Sequence, residues 1–342
     1  MFSAVTTSIP LFAGQTGASG DTTPVHIESY ADYIAAFGTD GALAPSIELF
    51  YANGGGEAYV LSMTDMPAVQ AALLDLIDVE LLVMPGVTDY ASINAALAAC
   101  ATLDRCFLIA DLPNGDLTTV VPAFCQALDP KNLSYGAAYV PWLDINGTVV
   151  PASGAVAGVY ARTDANAGVW ISPSADEGAV AGITKPVQAL TEDQVITLSL
   201  VPSTTIAINA IANLPDSGPY LVDALTLDGT SNVWRYVNTR RLVIMISESI
   251  RRGLRSWEFA PNNGMTWSAI NSSVSVFLNG LWKDGALLGE SAEDAWAVQI
   301  GVGSTMSAND VQNGILRLTV QIAPLMPGQF IVLSFEQVMP VT

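Results

Sequence analysis

The sequence predicts an α/β fold built on a parallel sheet, followed by a smaller α+β unit. Three observations predict it. Between residues 64 and 144, helical stretches alternate three times with apolar runs of strand length. Those runs show little polar alternation, as expected of strands covered by helices on both faces. After Trp234 the order changes to a strand-like run, two helical patterns and then three strands.

The elements are predicted in order. "VTTSIPLFAG" is rich in β-branched residues and reads as a strand, and "GQTGASGDTTP" reads as a loop. "PVHIESY" is a strand running into the short helix "ADYIAAFG", with Ser29 as its N-cap. "PSIELFYANGG" is a second helix, started by Pro45 and stopped at Asn53-Gly54, before the strand "EAYVLSM". Helical "PAVQAALLDLI", "DYASINAALAACATL" and "LTTVVPAFCQAL" then lead to the strands "VELLVMPG", "RCFLIADLP" and "YGAAYVPWLD". "SGAVAGVYARTD" is a further helix, and residues 178–215 read as strands. "VWRYVNTR" is strand-like, after which Leu242, Ile246, Ile250 and Leu254 recur every fourth residue and predict a helix from Arg240 to Trp257. "VSVFLNGLWKDG" is another helix, and "AWAVQIG", "GILRLTVQIAP" and "GQFIVLSFEQV" are strands.

Charge divides the chain. Residues 1–234 hold only four basic residues, Arg105, Lys131, Arg162 and Lys185, against 24 acidic ones, whereas residues 235–342 hold eight of each. A net charge of −20 argues against nucleic acid as a partner, because phosphate binding needs a basic footprint. A long uncharged stretch, residues 194–215, is broken by Pro202 and polar residues, and no membrane insertion is expected. No signal peptide is visible, since the first basic residue is Arg105. The three cysteines, Cys100, Cys106 and Cys125, lack metal-ligand spacing and fit packed thiols in a reducing cytoplasm.

Few residues suggest catalysis. "ANGGGEAYV" lacks the Lys-Ser/Thr of a phosphate loop and reads as a helix stop. His26 is the sole histidine and no G-x-S-x-G elbow occurs, so serine-hydrolase chemistry has no support. Asp89, Asp111 and Asp144 each follow an apolar strand, where ligands bind in open α/β sheets, and three converging carboxylates can hold Mg²⁺ for hydrolysis. Aspartate is equally the ordinary helix cap and turn residue. No cofactor, metal or catalytic residue is expected.

The block "NTRRLVIMISESIRRGLRSWEF" carries five arginines. On a helix, Arg240, Arg241, Arg251, Arg252 and Arg255 fall within an arc of roughly 120°, opposite a stripe containing Leu242, Val243, Ile246, Ile250, Leu254 and Trp257. Glu248 lies inside the basic arc, placed to pair with Arg251 or Arg252. The arc reads either as a solvated face or as a docking surface for an acidic partner, joined by Lys283 on the next helix.

"PASGAVAGVYARTDANAGVWISPSA" (residues 151–175) closely resembles a conserved block of contractile tail sheath proteins, which build the tails of bacteriophages, R-type pyocins and related injection systems. "PVHIESYADYIAAFG", "LFYANGGGEAYVLSM", "INAIANLPDSG", "WRYVNTRRLVIMISESI", "FLNGLWKDGALLGESAEDAWAVQIG" and "NGILRLTVQIAPLMPGQFIVLSF" resemble further parts of that family in the same order. Two departures stand out. The chain starts almost on its first strand, where the family usually carries an extended N-terminal arm, and Ala224 and Met63 occupy usual arginine positions.

The resemblance implies a non-enzymatic structural motor. Its subunits stack as sixfold rings around a tail tube, and contraction drives the tube through a target envelope. Implied partners are further copies of the chain, the tail tube, the baseplate and tail terminator proteins. The implied location is the tail of a virion or injection particle assembled in the bacterial host cytoplasm. Residues 1–62 are expected as an N-terminal segment packing with the core. An outer α/β domain at 63–232 and an inner, tube-facing α+β domain at 233–342 complete the expected organisation. Arg240, Arg241, Arg251, Arg252, Arg255 and Lys283 are then the candidate tube-binding residues. The last strand, Gln329, Phe330, Ile331, Val332, Leu333, Ser334, Phe335, Glu336, Gln337 and Val338 within a linking segment 329–342, is the candidate for strand addition to a neighbour. The alternative is a Mg²⁺-dependent α/β hydrolase using Asp89, Asp111 and Asp144.

Overall fold

Strands that alternate with helices, each too apolar to face water, leave the chain one economical arrangement: a central sheet with helices on both sides. The computed structural model describes residues 2–17, 23–62, 65–214, 218–325 and 330–340. It separates into two compact units, one of Thr6–Arg241 and one of Met1–Val5 with Leu242–Thr342.

The larger unit opens with β1 (Pro10–Ala13), β2 (Val25–Ile27), α1 (Tyr30–Phe37), α2 (Ala44–Ala52) and β3 (Ala58–Leu61). The regular alternation follows as α3 (Met66–Asp75), β4 (Leu81–Val83), α4 (Tyr90–Leu103), β5 (Phe107–Asp111), α5 (Leu117–Ala127) and β6 (Gly136–Val140). Then come β7 (Leu143–Ile145), β8 (Thr148–Val150), α6 (Ser153–Ala167), β9 (Lys185–Pro186), α7 (Glu192–Ser199), β10 (Asn209–Leu214) and β11 (Gly218–Leu221). Among the described residues the main sheet has eight strands in the order β11-β10-β6-β5-β4-β1-β3-β2. It is parallel except at its two edges, where β2 and β11 run antiparallel to their neighbours. β7, β8 and β9 form a small antiparallel sheet. Apolar residues of β1, β4 and β5 pack with α3, α4 and α5 in one core that also takes in Cys100, Cys106 and Cys125.

Several helix ends are set by the residues the sequence suggests. Ser29 caps α1 by accepting from the Asp32 N–H, and Asn53 ends α2 with Gly54 in the left-handed region at φ 98°. Gly54 is also required by close approach, since a Cβ there would lie 2.8 Å from Cβ of Arg162 on α6.

Three expectations change. Residues 178–215 were predicted as strands, yet α7 occupies Glu192–Ser199. Its reason is a reciprocal cap: Thr191 Oγ1 accepts from the Gln194 N–H, and the Gln194 side chain accepts from the Thr191 N–H. "VWRYVNTR" is not a strand; only Tyr236 makes an isolated bridge, to Leu225, and a helix starts at Val237. Within the segment 1–62, expected to pack with the core, β1 and β3 lie inside the main sheet and residues 2–5 group with the C-terminal unit. The division between units falls at 241/242, within a helix, rather than at 232/233.

That helix is α8 (Val237–Arg255), shared by both units. The smaller unit continues with α9 (Gly264–Lys283), α10 (Ala292–Ala295), β12 (Trp296–Ile300), α11 (Ala308–Gln312), β13 (Ile315–Ile322) and β14 (Ile331–Val338). The three strands form an antiparallel sheet in the order β12-β13-β14, with α9 against β12. Buried rows come from Ile270, Val274, Leu278 and Leu281 at helical spacing and from Leu316, Leu318, Val320 and Ile322 at strand spacing. Phe2 lies on Gly253 of α8, where an added Cβ would fall 2.1 Å from its ring.

Candidate functional site

The arginine block was expected to display one basic face along its whole length. Helix α8 is instead buried on every side from residue 237 to residue 250. Arg240 is 5% exposed and Arg241 3%. The Arg240 guanidinium is stacked between the rings of Trp234 and Tyr135, 3.6 and 4.3 Å from their centroids, and donates to Ser134 Oγ at 2.6 Å. Burial pulls its pKa down to about 10, opposed by the nearby Tyr135, Asp104 and Asp228, so the group stays charged at neutral pH. Arg241 forms a two-pronged pair with Asp164 on α6 at 2.9 and 2.6 Å. Burial weakens its protonated form, but the Asp164 carboxylate more than compensates and raises its pKa. Neither guanidinium faces solvent, which removes Arg240 and Arg241 from the expected docking surface.

Only the last turns of α8 open outward. Glu248, 4% exposed, accepts from Arg251 Nη1 and Arg252 Nε, each at 2.7 Å. The side chains of Arg251 and Arg252 are 37% and 24% exposed, and their first task is to neutralise a buried carboxylate. Arg255 and, at the end of α9, Lys283 are exposed. Of the candidate residues, Arg255 and Lys283 are thus exposed, and Arg251 and Arg252 are partly so.

The three strand-end aspartates do separate jobs. Asp89 caps α4 by accepting from the Ser92 N–H at 2.9 Å. Asp144 accepts from the Gly147 N–H at 2.6 Å in the β7–β8 turn. Asp111 is fully buried and receives the Ser153 N–H at 3.0 Å, the Ser153 hydroxyl at 2.6 Å and the Gly86 N–H at 3.2 Å, so it serves the N-terminus of α6. The hydrolase alternative has no support in this arrangement. His26 sits on β2 with its Nε2 3.6 Å from Glu57 and its ring against Tyr59.

Desolvation pushes the Asp111 carboxyl up to about 6, despite the hydrogen bonds from Ser153 and Gly86 that pull it down. The folded state then keeps a proton to higher pH than the unfolded chain, whose carboxyl titrates near 4. Between about pH 4 and 6 the folded state binds more protons, so this group's contribution to stability falls as pH rises and is fully lost above about 6. Subtracting the pH–stability profile of Asp111→Asn from that of the native chain should reveal a decline on the order of 2 kcal/mol across that window. A flat difference would contradict it.

The terminal strand was expected to be a linking arm. Gln329 lies outside the described residues, as does Met63. Phe330 is exposed, and β14 pairs along its full length with β13 of the same chain, from Ile322↔Ile331 to Ile315↔Val338. Val332, Ser334, Glu336 and Val338 are exposed, while Leu333, Phe335 and Gln337 are partly buried. Arg317 on β13 pairs with Glu336 across the two strands. β14 is therefore an edge strand whose second edge carries no strand among the described residues.

The sequence and the fold both match known proteins. A family model described as the phage tail sheath C-terminal domain matches residues 230–336. Over 98% of this chain and 92% of the other, the fold superposes with a TM-score of 0.85 and 31% identity on a chain of the PVC sheath complex, an extracellular contractile injection system, in its contracted state. The chain belongs to the contractile tail sheath family. The sheath fold also matches the helical sheath of the anti-feeding prophage in its contracted state, with a TM-score of 0.78, 28% identity and coverage of 98% of this chain and 94% of that one. A putative prophage major tail sheath protein of Pseudomonas aeruginosa (strain UCBPP-PA14) is 26% identical over 308 residues, covering 80% of this sheath chain and 77% of the relative.

Asp164, Tyr160, Tyr135 and Trp234 were missed as partners of the arginines. A signal existed: Arg240 and Arg241 stand close to the start of a helix, where the dipole disfavours cations, so something else must hold them there.

Proposed function

We propose that this chain is the repeating subunit of a contractile tail sheath that polymerises as stacked sixfold rings around a tail tube and shortens to drive the tube through a target envelope. The carrying observation is the near full-length likeness to a contractile-injection-system sheath chain. The role is mechanical rather than catalytic. Partners are other copies, the tail tube, the baseplate and a tail terminator. The place of action is the particle tail after assembly in the host cytoplasm. The strongly acidic α/β part, which includes residues 63–232, faces outward, where like charge keeps cylinders apart. The C-terminal part faces the tube, and a neighbour's strand adds to the open edge of β14. A map of assembled cylinders with residues 233–342 outermost, or with that edge unpaired, would overturn these placements.

Tube docking is assigned to the exposed Arg255 and Lys283, together with the partly exposed Arg251 and Arg252. Exposed charge pairs are worth about 0–1 kcal/mol each and are screened by salt, so many copies together give a grip that holds and still releases. Reversing Arg251 or Arg252 would strand the buried Glu248, so the clean variant is Arg255→Glu with Lys283→Glu. By negative-stain imaging it should yield cylinders that lack tube while the subunit folds normally. Extended sheath formed on tube at native frequency would refute the assignment.

A further inference from the structure

One face of the main sheet, carrying Leu11, Leu82, Leu108 and Val140, packs in a single core with Leu73 of α3, Leu97 of α4, Phe124 of α5 and Leu198 of α7. These helices form one layer, all of it inside the larger unit. α3 touches α4, and α4 is tied to α5 by Asn94, which donates to the Ala127 carbonyl oxygen at 2.9 Å. The layer is unusual in its charge. Residues 1–234 carry 24 acidic side chains, yet α4 and α5 contain no charged residue and α3 only Asp75, its last. The acids Asp89, Asp104 and Asp116 stand at helix ends as caps. An ordinary surface helix turns charged and polar residues to water.

What this layer turns to water is neutral and partly apolar. Gln70, Thr102, Thr118 and Pro122 are exposed, and so are Leu74 on α3 and Ile196 on α7, each at 64%. Leu200, just beyond α7, is 43% exposed. Two open grooves run between the helices. One, of about 290 Å³, has Leu74, Ala98 and Leu103 in its walls. The other, of about 390 Å³, lies between α5 and α7 against Leu117, Val121, Pro122 and Leu198. Acids return only beyond them: Asp75 and Asp78 at the end of α3, Glu192 and Asp193 at the start of α7. A neutral, apolar middle with a charged rim is how a protein–protein contact is built.

Charge selects the partner. A basic protein gains most from the acidic surfaces and nothing from this one. A partner with the same excess of acid is repelled by every face except one from which charge is missing. Another copy of this chain is such a partner. We propose that the outer face of α3, α4, α5 and α7 is where the α/β unit of one copy meets a second copy. The proposal rests on the sheath reading for its meaning, since it names a contact between subunits separate from the open edge of β14. It also gives that contact a salt signature. The acidic rims oppose it and the apolar middle favours it, so screening tightens the association. A grip made of opposite charges weakens under the same change.

The test is sedimentation of the purified full-length subunit at low and high salt, native against Leu74→Glu with Ile196→Glu. Both positions are exposed, so the variant should fold with an unchanged urea midpoint; if it does not, Gln70→Glu with Thr118→Glu replaces it. Native association should tighten as salt rises, and the variant should associate about tenfold more weakly or worse, as expected for charge placed in the middle of an apolar contact. Leu74→Met with Ile196→Leu should associate like the native chain. Equal association of the glutamate variant and the native chain, native association that falls as salt rises, or a native chain that stays monomeric overturns the proposal. Negative-stain imaging is read separately: native subunits that form no cylinders remove the sheath reading, and sedimentation still decides the face.

Discussion

Replacing Gly154 and Gly158 together with alanine should lower folding stability by roughly 3 kcal/mol or abolish soluble protein. Intrinsic helix propensity argues the reverse, since each Gly→Ala change inside a helix favours the helix by about 1 kcal/mol. Packing decides the sign. The two glycines lie one turn apart on α6, on the face against α2. A Cβ at Gly154 would stand 2.3 Å from the Ser46 carbonyl oxygen, and one at Gly158 would stand 2.4 Å from that of Phe50. Both obstacles are backbone, so no rotamer change relieves them, and α2 must move away by about 1 Å to reach ordinary contact. Ile47, Leu49 and Phe50 of α2 are fully or almost fully buried, and Asn53 and Arg162 bond across the same contact, so the displacement spreads. Urea titration gives the answer, and an unchanged or higher midpoint for the double variant would show that propensity wins.

Arg241→Met should cost about 3–5 kcal/mol, because it leaves the Asp164 carboxylate buried without its counter-charge. The Thr7 carbonyl oxygen also loses its donor, which adds to the loss. Adding Asp164→Leu to Arg241→Met should recover a large part of the stability, since the stranded charge is removed and apolar volume fills the space. The double-mutant cycle, followed by thermal or urea unfolding, separates the pair's coupling from the cost of orphaning one partner. Additive effects of the two substitutions would contradict this account.

Legibility followed the range of the forces involved. The parallel α/β order from α3 to β6 was plain because each apolar run is itself a strand and each helix carries its own stop signals. Ser29 and the Asn53-Gly54 stop were readable for the same reason: a cap contacts backbone within a few residues. Helix α7 was missed although Thr191 and Gln194 spell a capping box, because the β-branched residues around it resemble strand sequence. The arginines failed differently. Periodicity placed them on one arc of α8, and that angle is sound for an isolated helix.

By itself, then, the sequence determined the alternation of elements, their caps, the division of charge along the chain and the family resemblance, since these depend on neighbours and composition. Tertiary structure alone decided which arginines meet solvent. Arg240 is claimed by Ser134 and Tyr135 and Arg241 by Asp164, 106 and 77 positions away for Ser134 and Asp164. It alone also made Gly154 and Gly158 contact residues and seated the last strand on β13. Burial is a sum over segments that only the folded chain brings together, and a helical wheel contains none of those distant partners.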